Sequence, residues 1–274
     1  MQWCRSLVAP TVVLLATSVL VAQQRDQAAG LERHSWTVNG AERTSLVARP
    51  SQPGSNPITV FVFHGHGGNS LTAARTFRIH ENWPEALVLY PQGVPTVGQV
   101  TDPQGRLPGW QHAPGGEGDR DLKFVDAMLQ WAGEQYGVEP SRTFAAGHSN
   151  GGSMVYTLWA ARADRFAAFA PSSSVFPQDL VSRAKPKPAF IIAGKQDALV
   201  PFAAQERSLQ SVLRLNRADR AGAPWDGGAV RHASAAAADV IAYIHPGGHP
   251  MPGDSGVLIT RFLKGVAGTK KDIN

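Results

Sequence analysis

Residues 143–152 read TFAAGHSNGG, in which the apolar run TFAA leads directly into a Gly-x-Ser-x-Gly pattern. A serine at a sharp turn between a strand and a helix holds an unfavourable backbone conformation, so the residues two positions away must be very small. The turn exposes the hydroxyl and leaves the next amide at a helix N-terminus, where it stabilises a developing oxyanion. The pattern also fits a glycine-rich structural turn, but a helix-compatible run, Met154–Ala163, follows it. The sequence therefore predicts a nucleophile at Ser149 and an oxyanion-binding amide at Asn150.

Strand-like and helix-like segments alternate along the rest of the chain. The dipeptide Asn39-Gly40, a strong signal for a two-residue turn, lies between His34–Val38 and Arg43–Arg49 and predicts an antiparallel hairpin. The alternation that follows predicts an α/β fold, with a mostly parallel sheet covered by helices on both faces. The predicted strands are Ile58–His64, Ala86–Tyr90, Thr143–Ala146, Ala189–Ala193 and Val240–Ile244, and the predicted helices are Leu122–Tyr136, Met154–Ala163, Phe202–Leu215 and Gly256–Val266.

The composition indicates a single globular domain. The chain has 274 residues, of which 43% are hydrophobic and 17% are charged, so wholesale disorder is excluded. The formal net charge is +5, but Lys and Arg are dispersed apart from Lys270–Lys271, so we expect no nucleic-acid partner. The single cysteine, Cys4, excludes an intrachain disulfide and a cysteine-based zinc cluster.

Residues 1–22 have the pattern of a secretory signal peptide. Arg5 is the one charge before an uncharged run from Ser6 to Gln24, and small residues such as Ala22 are suited to a cleavage point. The alternative is a retained membrane anchor, but Pro10 interrupts the apolar run and leaves fewer than the roughly 20 residues that span a bilayer. We therefore expect a secreted or periplasmic protein without a stable membrane anchor, with residues 23–274 as one domain.

A serine nucleophile needs a nearby imidazole to take its proton. Two of the nine histidines, His245 and His249, follow the last predicted strand, where the base is expected when the chain order is serine, acid, histidine. The loop Gly247-Gly248 precedes His249 and gives it freedom to reach the serine, so we predict His249 as the base. We interpret His245 as a strand-end histidine bonded to backbone, and we expect the side chain of His148 to point away from the site.

The imidazole in turn needs a carboxylate that fixes its tautomer. Asp197 follows the predicted strand 189–193 across a three-residue turn, and the C-terminal edge of parallel strands is where catalytic groups collect. The rival carboxylates are less well placed, because Asp179 follows a loop and Asp239 lies at the start of a strand. We therefore predict Asp197 as the acid.

A glycine-rich segment, His64–Asn69, ends the first long predicted strand. Glycines there let backbone amides approach a substrate carbonyl, so the amide of His66 is the predicted second oxyanion donor. The segment lacks the Gly-x-Gly-x-x-Gly pattern of dinucleotide sites and the Gly-Lys-Ser/Thr of phosphate loops. Metal binding by His64 and His66 is the alternative, but no further ligand motif supports it, and we predict no metal.

Residues 92–120 show almost no periodicity and are rich in Gly, Pro and polar residues. A loop of that length inside a compact domain is usually functional. Trp110 within it has two interpretations: it lines a substrate pocket, or it anchors the loop to the core. We carry Trp110 as a candidate substrate-binding residue and leave both interpretations open.

Six motifs follow one another along the chain: Phe63–Asn69, Tyr90–Gly93, Gly109-Trp110, Gly147–Gly152, Gly194–Asp197 and Gly247–Pro250. In this order they resemble the polyhydroxybutyrate-depolymerase-like and feruloyl-esterase-like secreted α/β-hydrolases, over nearly all of the chain that follows the leader. The resemblance implies an α/β-hydrolase fold, serine carboxylesterase activity without a cofactor, and a triad of Ser149, Asp197 and His249. The implied partner is an ester substrate, either a feruloyl or acetyl ester of a plant polysaccharide or a short hydroxyalkanoate polyester.

The chain departs from that family at two places. Many relatives have a cysteine where His66 stands, and the usual aromatic residue after the catalytic histidine is replaced by Met251-Pro252-Gly253. Two alternatives to an esterase remain, namely a serine peptidase of the same fold and a polymer-binding protein with an inactive triad.

Overall fold

The computed structural model describes residues 30–52, 54, 56–98 and 100–269. The predicted leader, residues 1–22, and the basic pair Lys270–Lys271 lie outside the described residues. Within the part that is described, no helix combines the length and the apolar character needed to cross a membrane.

Ten strands form one mixed sheet, and two very short strands, β5 and β6, form a separate pair. The order across the large sheet is β1-β2-β4-β3-β7-β8-β9-β12-β11-β10. The six neighbours from β4 to β12 run parallel, and an antiparallel pair flanks them on each side. The strands are β1 (Glu32–Val38), β2 (Ala41–Ala48), β3 (Thr59–Phe63), β4 (Leu87–Pro91), β5 (Val94–Pro95), β6 (Pro108–Gly109), β7 (Thr143–His148), β8 (Ala168–Ser172), β9 (Ala189–Gly194), β10 (Ala223–Pro224), β11 (Val230–His232) and β12 (Val240–His245).

The predicted N-terminal hairpin is confirmed as β1 and β2, which pair antiparallel from Val38 opposite Ala41 outward. Both turn residues have positive φ, 51° at Asn39 and 77° at Gly40, which is the conformation that a two-residue turn with matching twist requires. Together with the parallel centre of the sheet, this confirms the predicted α/β class.

Seven α-helices of the described chain cover the sheet, and three of them, at residues 70–77, 79–82 and 178–181, were not expected from the sequence. The helix after Ser149 begins at Asn150, four residues earlier than the apolar pattern indicated. The helix at residues 70–77 was missed, although Asn69 caps it by accepting a hydrogen bond from the Thr72 amide at 2.9 Å. The helices are α1 (Ser70–Phe77), α2 (Ile79–Asn82), α3 (Arg120–Tyr136), α4 (Asn150–Arg162), α5 (Gln178–Val181), α6 (Phe202–Leu215) and α7 (Ser255–Thr269).

The two faces of the sheet carry two separate apolar clusters. Successive residues of β3 alternate between them, because side chains in a strand point to opposite faces. Phe61 and Phe63 join the cluster that packs under α3, α4 and α6, and Val60 and Val62 join the cluster under α1 and α7. Both faces of the central strands are therefore buried, which explains why these strands are continuous apolar runs.

A buried polar network holds the two ends of the long segment 92–120. Asp121 accepts hydrogen bonds from an Arg43 guanidinium nitrogen and from the Gln111 amide, both at 2.7 Å. The same Arg43 nitrogen contacts the Gln92 carbonyl at 3.4 Å. Between residues 92 and 119, the described part of the segment contains only the short β5–β6 pair, a bridge between Gly98 and Asp102 and one turn of 3-10 helix. Its path is therefore set by side-chain contacts rather than by regular structure.

Candidate active site

The turn around Ser149 joins β7 directly to α4. Ser149 has φ 57° and ψ −122°, a strained conformation of the kind that costs about 1–3 kcal/mol and is concentrated at functional sites. The turn permits no side chain at the flanking glycines, because a Cβ at Gly147 would overlap the Gly151 carbonyl and one at Gly151 would overlap the Phe63 carbonyl. The Ser149 amide donates to the Ser172 carbonyl of β8 at 2.9 Å, which fixes the turn to the neighbouring strand.

The two other residues of the predicted triad are hydrogen-bonded to each other. Nδ1 of His249 lies 2.8 Å from Oδ2 of Asp197, and the Asp197 side chain is fully buried. Asp197 follows β9 and His249 follows β12, and these two strands are adjacent and parallel. Their C-terminal ends therefore bring together two residues that are 52 positions apart in the sequence.

Asp197 is held as a carboxylate by four donors. Its Oδ1 accepts from the amides of Leu199 at 2.9 Å and Val200 at 2.8 Å. Its Oδ2 accepts from His249 and from Nε2 of Gln205 on α6, the latter at 2.9 Å. Burial alone raises the pKa of the Asp197 carboxyl, but the hydrogen bonds from Val200, His249 and Leu199 outweigh burial and hold the pKa below its usual range. The carboxylate is thus ionised at neutral pH and available to orient the imidazole.

The expectation for His148 is wrong. Its side chain lines the same cavity as Ser149 and His249, and its ring centroid lies 4.8 Å from that of His249. Burial, with a smaller contribution from His249, lowers the pKa of His148 to about 4, so the ring is neutral at pH 7. No periodic pattern predicts this placement, because His148 is the last residue of β7 and the chain turns immediately after it.

His245 has the structural role expected of it. It is buried at the end of β12, and its Nδ1 accepts a hydrogen bond from the Gly247 amide at 3.2 Å. The neighbouring glycine loop instead presents His249 to the site, and the His249 carbonyl is fixed by the Ser173 hydroxyl at 3.0 Å.

The two predicted oxyanion residues lie on either side of Ser149. The Asn150 amide is in the first turn of α4, where amides have no intrahelical acceptor. Among the described residues, the His66 amide likewise has no hydrogen-bond acceptor. Gly65 brings the two segments together, since a Cβ there would lie 3.4 Å from the Ser149 Cβ. Both amides are therefore free to bind a substrate oxygen.

The side chain of His64 is already committed within the protein. Its Nδ1 donates to the Gly65 carbonyl at 2.7 Å, and its Nε2 accepts from the Gly93 amide at 2.9 Å. Burial lowers the pKa of His64 to about 4, so this ring is neutral as well. Across the described residues, no group of three or more His, Cys, Asp or Glu side chains is arranged to hold a metal ion.

A cavity of about 450 Å³ is lined by Ser149, His249 and both predicted oxyanion residues. Its other walls are apolar side chains, small hydroxyls, glycines and two further histidines, and no Asp, Glu, Lys or Arg lines it among the described residues. The remaining lining residues are Gly65, Gly98, Val100, Thr101, His112, His148, Ser153, Ser173, Ser174, Val175, Leu199, Val200 and Pro201.

Trp110 is not among the residues that line this cavity. It is fully buried, its ring packs edge-on against Phe63, and its Nε1 donates to the His64 carbonyl at 2.9 Å. Its backbone amide donates to Oδ1 of Asn150 at 2.7 Å. Of the two interpretations left open by the sequence, these contacts favour anchoring of the long loop.

Comparisons with known proteins show which sequences and folds this chain resembles. Residues 110–184 match the model of the prolyl oligopeptidase family. The chain is 27% identical over 235 residues to a probable feruloyl esterase C of Aspergillus clavatus, covering 80% of this chain and 82% of the relative. An acetyl xylan esterase structure from Aspergillus awamori superposes with a TM-score of 0.59 at 16% identity, over 84% of this chain and 99% of that chain. A ferulic acid esterase structure gives a TM-score of 0.57 at 14% identity, over 87% and 98%.

This chain has the α/β-hydrolase fold and is similar to esterases. The predicted fold class, the enzyme class and the resemblance to feruloyl-esterase-like proteins are confirmed. The sequence analysis missed Gln205, which lies outside the predicted motifs and contacts Asp197, and it misplaced the side chain of His148, which lies within a motif and contacts His249.

Proposed function

We propose that this α/β-hydrolase cleaves carboxylic esters by two-step acyl transfer, with Ser149 as nucleophile, His249 as general base and Asp197 as its orienting carboxylate. The observation that carries the proposal is the 2.8 Å contact between His249 and Asp197, in a cavity shared with a strained serine at a strand-to-helix turn. Each part has a defined role in this chemistry, since the base must be oriented and the hydroxyl must be exposed.

In the first step His249 takes the Ser149 proton while the oxygen attacks the ester carbonyl. The carbonyl oxygen becomes an anion that the amides of His66 and Asn150 bind, and the imidazolium then protonates the leaving alcohol. In the second step His249 activates water, which attacks the acyl-enzyme, and the proton returns to Ser149 as the acid leaves. Asp197 stays ionised throughout and stabilises the imidazolium.

The proposed substrates are feruloyl or acetyl esters of plant polysaccharides, with short hydroxyalkanoate polyesters as the alternative. The names of the relatives support the former, and the uncharged walls of the 450 Å³ cavity are suited to a neutral aromatic or acetyl group rather than to an anion. We also propose that the protein is exported through a leader at residues 1–22. We propose no nucleic-acid partner and no stable membrane anchor.

The experiment is to compare Ser149→Ala with Ser153→Ala, a matched change on the same helix and in the same cavity. We expect Ser149→Ala to abolish hydrolysis of p-nitrophenyl acetate and labelling by a fluorophosphonate, and Ser153→Ala to retain both. A Ser149→Ala variant with near-native turnover would refute the proposal. A panel of methyl ferulate, acetylated xylan and a hydroxybutyrate oligomer then identifies the ester.

A peptidase is the second candidate, because residues 110–184 match the prolyl oligopeptidase family model. That match includes Ser149 but neither Asp197 nor His249. A matched pair of substrates, an N-acyl amino acid p-nitrophenyl ester and the corresponding p-nitroanilide, separates the two activities. We expect turnover of the ester only.

A further inference from the structure

The side chains of both predicted oxyanion residues bind the same loop. Asn150 forms two hydrogen bonds with the backbone of Trp110, accepting from its amide at 2.7 Å and donating to its carbonyl at 3.1 Å. Nε2 of His66 lies 3.3 Å from Oδ2 of Asp102, and because a carboxylate only accepts, the proton belongs to His66. The loop of residues 100–112 is thus attached at two points to the residues whose amides are the predicted oxyanion donors.

The Asp102 carboxylate is buried and hydrogen-bonded to two other parts of the chain, so it is not an isolated surface charge. The carboxylate oxygen that accepts from His66 also accepts from the Leu107 amide at 2.8 Å. The Asp102 backbone pairs with Gly98 in both directions, at 2.8 and 3.3 Å. Its side chain is 5% exposed and that of His66 is 10% exposed.

The ring of His66 fills a slot that the loop leaves between two glycines. A Cβ at Gly98 would lie 2.7 Å from Nε2, and a Cβ at Gly109 would lie 2.6 Å from Nδ1. Any other residue at either position would have to displace the ring. The oxyanion segment is joined to the loop a third time, since the Gly67 amide donates to the Pro108 carbonyl at 2.7 Å.

The same loop forms one wall of the catalytic cavity, through Gly98, Val100, Thr101 and His112. We infer that residues 100–112 and the oxyanion hole are held in position as one unit. We call this unit the loop clamp, and its contacts are made by the side chains of His66, Asp102 and Asn150 and by the backbone of Trp110. In this unit Asp102 is a positioning residue that never touches substrate, and it holds the His66 amide at the place where the oxyanion forms. Substrate contact with the loop is thereby transmitted to the reacting centre. The inference rests on the proposed function.

Asp102→Ala tests the loop clamp. The control is Asp126→Ala, which removes a carboxylate on α3 that is paired with Arg162 of α4, outside the loop clamp. Loss of an entire oxyanion donor costs about 10²–10³ in kcat, so displacement of one amide should lower kcat for p-nitrophenyl acetate by about tenfold. KM should change less, since this small ester makes few contacts with the wall. Asp102→Asn keeps an oxygen for both donors and should recover most of the activity. Asp126→Ala should leave kcat unchanged.

A second readout separates positioning from stability. An alkylboronic acid forms a tetrahedral adduct with the serine and puts an oxygen in the oxyanion hole, so its affinity should fall in Asp102→Ala by the same factor as kcat/KM. An Asp102→Ala variant that melts at a lower temperature but keeps the native kcat and boronate affinity would overturn the inference.

A double-mutant cycle with Asn150→Ala, which retains the backbone amide, tests whether the two attachments act together. If the two attachments position one loop, the fold loss of kcat in the double variant should be smaller than the product of the fold losses in the two single variants. Losses that multiply would show independent sites and contradict a single unit. Native activity in Ser149→Ala would refute the proposed function itself. If Ser149→Ala is inactive but Asp102→Ala keeps native activity, only the loop clamp is refuted.

Discussion

Nε2 of Gln205 lies 2.9 Å from the same Asp197 oxygen that accepts from His249. The amide nitrogen of Gln205 also donates to the Val200 carbonyl, and the residue is 1% exposed. Helix α6 thus supplies a second donor to the Asp197 oxygen that binds the imidazole.

Gln205→Leu should impair both stability and rate. The substitution removes one of the donors to the buried Asp197 carboxylate and the Gln205 donor to the Val200 carbonyl, which costs about 1–3 kcal/mol of unfolding free energy. It also releases Asp197 from one of its four donors, so kcat should fall. Urea unfolding and ester hydrolysis measure the two effects. Gln130→Leu, at an exposed glutamine on α3, is the control and should change neither. A Gln205→Leu enzyme with native kcat would show that the other three donors suffice.

Trp110→Phe distinguishes the anchoring role from a substrate contact. The variant keeps an aromatic ring but loses the hydrogen bond from Nε1 to the His64 carbonyl. We expect the unfolding free energy to fall by about 1–3 kcal/mol, while KM for small esters stays close to native. A raised KM without loss of stability would instead favour the pocket-lining interpretation.

Gly151→Ala should disrupt the turn that presents Ser149. The added Cβ would overlap the Phe63 carbonyl and lie 2.6 Å from that of His64, and both carbonyls belong to the central part of the sheet. We expect a loss of about 3 kcal/mol or more, and little esterase activity in any folded fraction. Gly133→Ala in α3 is the control, because its Cβ would find no atom closer than 3.9 Å. That substitution should stabilise the helix by about 0.5–1 kcal/mol.

His148 makes stability depend on pH in the acid range. Its pKa is about 4 in the folded protein, against 6.5 for an unperturbed histidine, so between these values the unfolded chain binds a proton that the folded chain does not. Stability from this residue is therefore complete above pH 6.5 and is lost as the pH falls towards 4, by a total of about 3 kcal/mol. Urea unfolding between pH 4 and 7.5 should give a flatter profile for His148→Asn than for the native chain. Parallel profiles would contradict the assignment.

The main strands and the three predicted triad residues could be placed from the sequence because each has a local signal. β3, β9 and β12 are continuous apolar runs, and Ser149, Asp197 and His249 follow such runs within a few residues. The strand β8 was not recognised, since its sequence AFAPS is rich in alanine and contains a proline. That strand nevertheless supplies the carbonyl to which the Ser149 amide is bound.

The long-range contacts had no local signal. Gln205 lies in an amphipathic helix where a glutamine would ordinarily face solvent, and only the position of α6 against β9 brings it to Asp197. The path of residues 92–120 depends on Arg43 and Asp121, which are 78 positions apart. Such contacts follow from tertiary packing, so a pattern read along the chain does not contain them.

The antiparallel pairs at both ends of the sheet also bear on self-association. The apolar parallel strands are all internal, and the exposed edges are β1, which carries Glu32 and Arg33, and β10, which has two residues, one of them Pro224. Charged side chains, short length and a proline without an amide hydrogen all discourage a second sheet from adding to an edge. The fold thus shields its most aggregation-prone strands from intermolecular pairing as long as both outer pairs remain in place.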